Sequence, residues 1–186
     1  MKAFLSKYRQ YAGLLLAALL VGIDQLTKQL VVKNLTMYEP VHLLKFGDVQ
    51  VLNLYYCTND GSAFSMMEGK TTFLVIVTSA IIVALIVALV MKKIRRAPYI
   101  VAVSLIIGGG LGNLIDRLFN DGSVVDFIDV RLINFAIFNF ADICAVVGGI
   151  LLCLFVLIDE VKESKAKKAK RLSQDGNAEP ENHGND

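Results

Sequence analysis

Histidine and cysteine are scarce in this chain, and their scarcity removes two common routes to catalysis. Only His42 and His183 are present, neither near the acids discussed below, so histidine-centred proton transfer is not expected. Three cysteines, Cys57, Cys144 and Cys153, offer no framework of pairs and no ligand spacing, so neither a disulfide nor a metal site is expected. Cys144 and Cys153 fall inside an apolar run and read as small packing residues. What remains for chemistry is a handful of carboxylates and amides.

With 186 residues, 55% of them hydrophobic, and a mean hydropathy of +0.56, the chain is too apolar for an ordinary soluble domain. Four apolar stretches, 11–32, 71–91, 98–119 and 140–158, are each long enough to cross a hydrocarbon core of about 30 Å. The fold class is therefore a membrane α-helical one, with four transmembrane helices. The first stretch follows Lys2, Lys7 and Arg9 as a secretory leader would. Asp24-Gln25-Leu26-Thr27-Lys28 then stands in place of a small-residue cleavage site, so the segment is expected to stay as a span.

Basic residues orient the spans. Lys92, Lys93, Arg95 and Arg96 fill the link between the second and third, and Lys162, Lys165, Lys167, Lys168, Lys170 and Arg171 follow the fourth. By the positive-inside rule this link and both termini are cytoplasmic, and connectors 33–70 and 120–139 lie outside. Residues 1–160 read as one membrane domain, and 161–186, basic and then polar, as a disordered cytoplasmic tail. The net charge of +2 is the sum of this asymmetry and points to no nucleic-acid partner.

In the outer connectors, 43–57 alternates in part (Val49, Val51 and Asn53 against Gln50, Leu52 and Leu54) and reads as a strand near the membrane surface. Asn59-Asp60-Gly61-Ser62 is turn chemistry, and 124–132 is a second β-branched run. A small extracytoplasmic sheet containing Asp126 is expected from these pieces.

Within the third span, Gly108 and Gly112 are four apart, a spacing that lets helices approach closely. Asn113 and Arg117 share a helix face. Arg117 keeps its charge and needs a carboxylate or several carbonyls, either as a clamp onto a loop or as an orienter of catalytic or substrate groups. Asp24 and Lys28, also four apart, read as a structural ion pair, with Asp116 as further structural support. Taken singly, Asp142 is an acid favoured at a helix start, and Asp126 and Asp129 are loop acids.

Their combination says more. Three helix ends bring Asp24, Asn113, Arg117, Asn139 and Asp142 to one depth on one side, and the connector supplies Asp126. Two carboxylates held close share a proton and titrate as a coupled pair. The charged member can take a proton from water while the neutral one hydrogen-bonds a carbonyl oxygen, which is the aspartic-protease division of labour and needs no metal, cofactor or histidine.

Five motifs in order, Asp24-Gln25-Leu26-Thr27-Lys28, Asn59-Asp60-Gly61-Ser62-Ala63-Phe64, Gly112-Asn113-Leu114-Ile115-Asp116-Arg117, Val124-Val125-Asp126-Phe127 and Phe138-Asn139-Phe140-Ala141-Asp142, resemble those of the bacterial lipoprotein signal peptidases, or signal peptidase II. The resemblance runs from the first span to the end of the fourth. It implies a membrane aspartic endopeptidase of the bacterial cytoplasmic membrane, working without a cofactor. Such an enzyme removes signal peptides from prolipoproteins, cutting just before a cysteine that carries diacylglyceryl. On it, Asp126 and Asp142 are the catalytic pair, and Asn59, Asn113, Arg117 and Asn139 line the site. Asp24 and Lys28 match the first-helix motif. The partners implied are lipid-modified prolipoprotein signal peptides and membrane lipids. A mobile segment over the site is expected, with the sheet, within 43–69. Asp60 is an added acid that either tunes the site or faces water. The competing reading of the residues is a small proton- or ion-coupled transporter, which calls for polar groups at bilayer mid-depth. Here the second span is apolar almost throughout and the charges gather at one interface.

Overall fold

A computed structural model describes residues 2–61, 71–133 and 135–175. The part of the expected mobile cover beyond Gly61, including Ser62-Ala63-Phe64, lies outside the described residues. Four helices, α1 (Lys2–Asn34), α2 (Thr71–Val90), α3 (Ala97–Phe119) and α4 (Phe140–Asp175), each carry a stretch long and apolar enough to cross a membrane. Three strands, β1 (Pro40–Phe46), β2 (Val49–Asn59) and β3 (Val124–Val130), form an antiparallel sheet in the order β1-β2-β3.

Helix α3 is the centre of the bundle. Its Ile100, Val103, Ile107 and Leu114 form one core with Ala17 of α1 and with Ile82 and Leu89 of α2. In lipid, apolar burial does not drive helices together, so close fit must do so. The glycines of α3 supply that fit toward three different neighbours. A Cβ on Gly108 would meet Leu20 of α1, one on Gly110 would meet Ile82 of α2, and one on Gly109 would press into backbone atoms of Ala141 and Ala145 of α4.

The stretch 43–57, expected as one strand, is divided between two. Gly47, at φ 58°, and Asp48 turn the chain so that Phe46 pairs with Val49. Glycine first in a two-residue loop gives the hairpin the positive φ it needs. The observed alternation belongs to β2 alone. On β2's other side, Cys57 lies opposite Asp126 and Asn59 opposite Val124. Val31 of α1 and Leu35 just beyond it pack with Val125 and Phe127 of β3 and Leu54 and Tyr56 of β2. The sheet therefore rests on the end of α1 one turn beyond Lys28.

Two connections place β3. At the end of α3 the Asn120 N–H bonds the Asp116 carbonyl at 2.7 Å, and Asp121 (φ 50°) and Gly122 (φ 91°) turn the chain into the strand. After β3 and a 3₁₀ turn at Arg131–Ile133, Phe138 returns to pair with Ile128. The Ile128 N–H reaches the Phe138 carbonyl at 2.8 Å, and the Phe138 N–H reaches the Ile128 carbonyl at 3.2 Å. Helix α4 thus begins beside β3.

Helix α4 continues to Asp175, so residues 161–175, expected to be disordered, are helical. They contain no glycine or proline, and Glu163 and Lys167 pair along the helix at 3.9 Å, so local propensity is enough to extend it. Residues 176–186 lie outside the described residues. At this end of the bundle Arg96 pairs with Asp159, which also accepts the Tyr99 hydroxyl at 2.6 Å, tying α3 to α4.

Gly109→Val is expected to destabilise the detergent-solubilised protein by about 1–3 kcal/mol, because the α3–α4 contact has no room for the added atoms. Gly149→Ala on α4, whose Cβ would have nothing within 4 Å, should leave the unfolding temperature nearly unchanged. Equal shifts for the two in thermal unfolding would refute this account of the helix contact.

Candidate active site

The first turn of α4 is closed by a reciprocal cap. The Asp142 N–H donates to Asn139 Oδ1 at 3.0 Å, and the Asn139 N–H donates to Asp142 Oδ2 at 3.0 Å. This is the capping-box arrangement with asparagine and aspartate in its two places. Asp142 is therefore both a helix-start residue and a carboxylate held in one orientation. Its other oxygen accepts Asn113 Nδ2 at 2.7 Å.

Asp126 stands across from it on β3 and is buried. Asn139 Nδ2 donates to Asp126 Oδ1 at 2.7 Å, and Asn59 Nδ2 donates to Asp126 Oδ2 at 3.0 Å. Asn139 thus meets both carboxyl groups, that of Asp126 through its side-chain NH₂ and that of Asp142 through its backbone N–H. Burial pushes the Asp126 carboxyl up to about 7, the Asn59 hydrogen bond opposing this and the charge of Asp142 adding to it. A carboxyl so placed holds its proton closer to neutrality than an ordinary aspartate does.

Beneath the two acids lies a buried ionic network between α1 and α3. Lys28 Nζ is 2.9 Å from Asp24 Oδ2 and 2.9 Å from Asp116 Oδ2, and it donates to Asn113 Oδ1 at 3.0 Å. The second oxygen of Asp24 accepts the N–H of Ala141 at 3.0 Å, and Asp116 Oδ2 also accepts the N–H of Val125 at 3.0 Å. Each structural acid therefore pins the residue directly before one of the paired acids: Ala141 before Asp142, and Val125 before Asp126. Gln25 was not assigned from sequence, although it stands inside the first-helix motif. Its Nε2 lies 3.1 Å from the Gly112 carbonyl, 2.9 Å from Asp116 Oδ1 and 3.2 Å from Asp24 Oδ2, stitching the same helices together.

Above the acids is a cavity of about 400 Å³. Asn59, Asn113, Arg117, Asp126 and Asp142 form its polar side, and Phe135, Phe138, Ile143 and Val146 its apolar side. The apolar wall was not picked out from sequence, since its residues look like any others facing lipid. Arg117 donates to the Gly61 carbonyl at 3.0 Å and to the Asn113 carbonyl at 3.4 Å, and its buried Nε–H has no hydrogen-bond partner among the described residues. It is a clamp on the loop and a wall of the cavity at once. Asp60 is exposed, accepts the Ser123 hydroxyl and stays outside the cavity lining. Asp129 is buried elsewhere on the sheet, where it accepts Asn53 Nδ2 at 3.0 Å and pairs with Arg131.

The chain was compared with known proteins. A family profile described as signal peptidase (SPase) II matches residues 16–158. A lipoprotein signal peptidase of Lactococcus lactis subsp. lactis is 40% identical over 159 residues, covering 81% of this chain and 96% of the relative. One of Brevibacillus brevis is 34% identical over 148 residues, covering 80% and 96%. A bacterial membrane enzyme structure solved by the in meso method at 2.3 Å resolution superposes with a TM-score of 0.73 at 33% identity, covering 80% of this chain and 89% of that one.

Arg117→Ala is expected to lower peptidase turnover about tenfold or more, with yield and unfolding temperature close to wild type, because the guanidinium borders the cavity. A variant with lower yield but normal turnover per folded molecule would leave only the clamp.

Proposed function

Because the chain belongs to the signal peptidase II family, whose members remove signal peptides from prolipoproteins, we propose that it cuts just before a diacylglyceryl-bearing cysteine using water activated between Asp126 and Asp142. The observation that carries this reading is Asn139, which holds both carboxyl groups, one through its side chain and one through its backbone N–H, at the wall of one largely apolar cavity. The chain is a membrane peptidase, and these acids are the cavity-lining groups suited to peptide hydrolysis.

In the proposed cycle Asp126 carries the shared proton and hydrogen-bonds the oxygen of the scissile carbonyl, while Asp142 takes a proton from the attacking water. A C–O bond forms as the carbonyl π pair moves to oxygen, which takes the Asp126 proton, giving a tetrahedral gem-diol. Collapse breaks the C–N bond. Asp142 delivers its proton to the departing amine of the cysteine, and Asp126 takes back the proton of the gem-diol hydroxyl. Asn113, Asn139 and Asn59 keep the two carboxyl groups from rotating, so little reorganisation is left for the reacting state.

The apolar wall suits the acyl chains and the hydrophobic part of a signal peptide. Val146 lines the cavity and is also exposed on the membrane-facing surface of α4, so a substrate held in the bilayer reaches the acids laterally. In this reading the site lies near the extracytoplasmic face. The basic link 92–96 and the basic segment after α4's apolar stretch sit at the opposite ends of the helices.

Asp126→Asn and Asp142→Asn are each expected to lower cleavage of a diacylglyceryl-modified prolipoprotein by about a hundredfold or more while leaving folded, membrane-inserted protein. Wild-type turnover in either variant would overturn the dyad. The pH dependence follows from Asp126, whose raised position means that its proton is present below about 7 and lost above. Accordingly kcat/KM should decline about tenfold per pH unit well above 7, reporting the pair rather than one residue. A flat profile on the alkaline side would remove Asp126 from the role of proton donor.

A further inference from the structure

Helix α1 contributes no residue to the cavity among those described, yet it supplies a buried ammonium two hydrogen bonds from Asp142. Lys28 has three N–H donors, and each has an acceptor: Asp24 Oδ2, Asp116 Oδ2 and Asn113 Oδ1. The two carboxylates already more than balance one positive charge. The third bond, to a neutral amide, is therefore not needed for charge balance, and its effect falls on Asn113.

An asparagine amide has two faces of similar shape and opposite polarity, and nothing intrinsic to it chooses between them. At Asn113 the choice is made by neighbours. Lys28 offers only donors, and Asn139 Nδ2 donates to the same Asn113 oxygen at 2.9 Å. A flipped Asn113 would turn its NH₂ toward an ammonium and a second amide NH₂. The unflipped amide turns its NH₂ to Asp142 Oδ1 instead, at 2.7 Å. Donation thus runs one way, from Lys28 to Asn113 to Asp142.

We propose that Lys28 is a positioning residue for peptide hydrolysis: its ammonium fixes the polarity of the Asn113 amide so that Asn113 donates to Asp142 and holds that carboxylate as the proton acceptor. This rests on the peptidase reading above and adds a part to it. With Lys28 replaced by an apolar side chain, Asn139 Nδ2 alone holds the Asn113 oxygen, so the turned amide, which only a protonated Asp142 satisfies, becomes more populated. The shared proton is then drawn to the group that must be the base. The charged groups around Asp142 are Asp126 from β3, Arg117 and Asp116 from α3, and Lys28 with Asp24 from α1. Of these, Lys28 alone acts on the Asn113 oxygen.

The test compares the full-length wild type with Lys28→Gln, Lys28→Met and Asp24→Asn/Lys28→Met in detergent, cleaving a diacylglyceryl-modified prolipoprotein from pH 5 to pH 9. Lys28→Met strands two carboxylates and is the variant at risk of misfolding. The double variant removes one of those charges, and Lys28→Gln keeps an N–H donor on a side chain one bond shorter than lysine. Rates are expressed per folded molecule, from size exclusion and thermal unfolding. The expected result is a kcat at least about tenfold lower in both methionine variants, KM within about threefold, and the acid limb of kcat moved up by about half a pH unit or more. Partial recovery of kcat is expected in Lys28→Gln. Unchanged kcat and an unmoved acid limb per folded molecule, even with a large loss of thermal stability, would overturn the proposal and leave Lys28 a charge-balancing strut. Failure of folded wild type to cleave would instead defeat the peptidase reading on which the proposal stands.

Discussion

A charge inside hydrocarbon must be matched at once or not carried at all, and this protein meets that constraint with one lysine and two aspartates. Lys28, Asp24 and Asp116 are almost wholly buried where α1 crosses α3. Breaking a buried pair is far costlier than the pair's net contribution, so the crossing has one viable register. The two acids spend their remaining capacity on backbone N–H groups of α4 and β3, at Ala141 and Val125. Elements distant in the chain are thereby set relative to one ammonium.

The packing of α3 serves the same end. Gly112 stands where a Cβ would press on Asp24 Oδ2 and on Ala141 Cβ, so its lack of a side chain is what lets the ionic network and the start of α4 share one level. Helix α2 plays a lesser part, presenting Ile76, Val83, Val87 and Val90 outward. The asymmetry is functional: α1, α3 and α4 carry the polar end of the molecule, while α2 closes the core around Ile82 and Leu89.

How much of this could be read from the chain depends on the range of the force involved. The spans were legible because the bilayer imposes a length and an apolar composition that no soluble helix needs. The acids, amides and Lys28 stood out because polar groups at a membrane boundary are few. Partnerships across elements were hidden. Asp24 and Lys28 could be paired by helical spacing, whereas the bonds from Lys28 to Asn113 and Asp116, and those of Gln25, exist only once α1 and α3 cross. The hairpin at Gly47–Asp48 was missed because the alternation beyond it was extended back across a single glycine. The charged segment after residue 160 has the composition of a solvated tail, yet its lysines, glutamates and alanines are also good helix formers continuing an existing helix, where no new nucleation is required.

The return of Phe138 onto Ile128 mechanically separates two parts of the cavity. The chain leaves β3 after Val130, makes an excursion, and comes back to the same strand before delivering Asn139 and Asp142. Both feet of that excursion are pinned, so its length and its side chains can change without moving either acid. Yet Phe135, Ala136 and Ile137, carried on the excursion, form part of the cavity wall. Part of the cavity wall is thus carried on a panel whose attachment points are fixed, apart from the frame that holds the two acids.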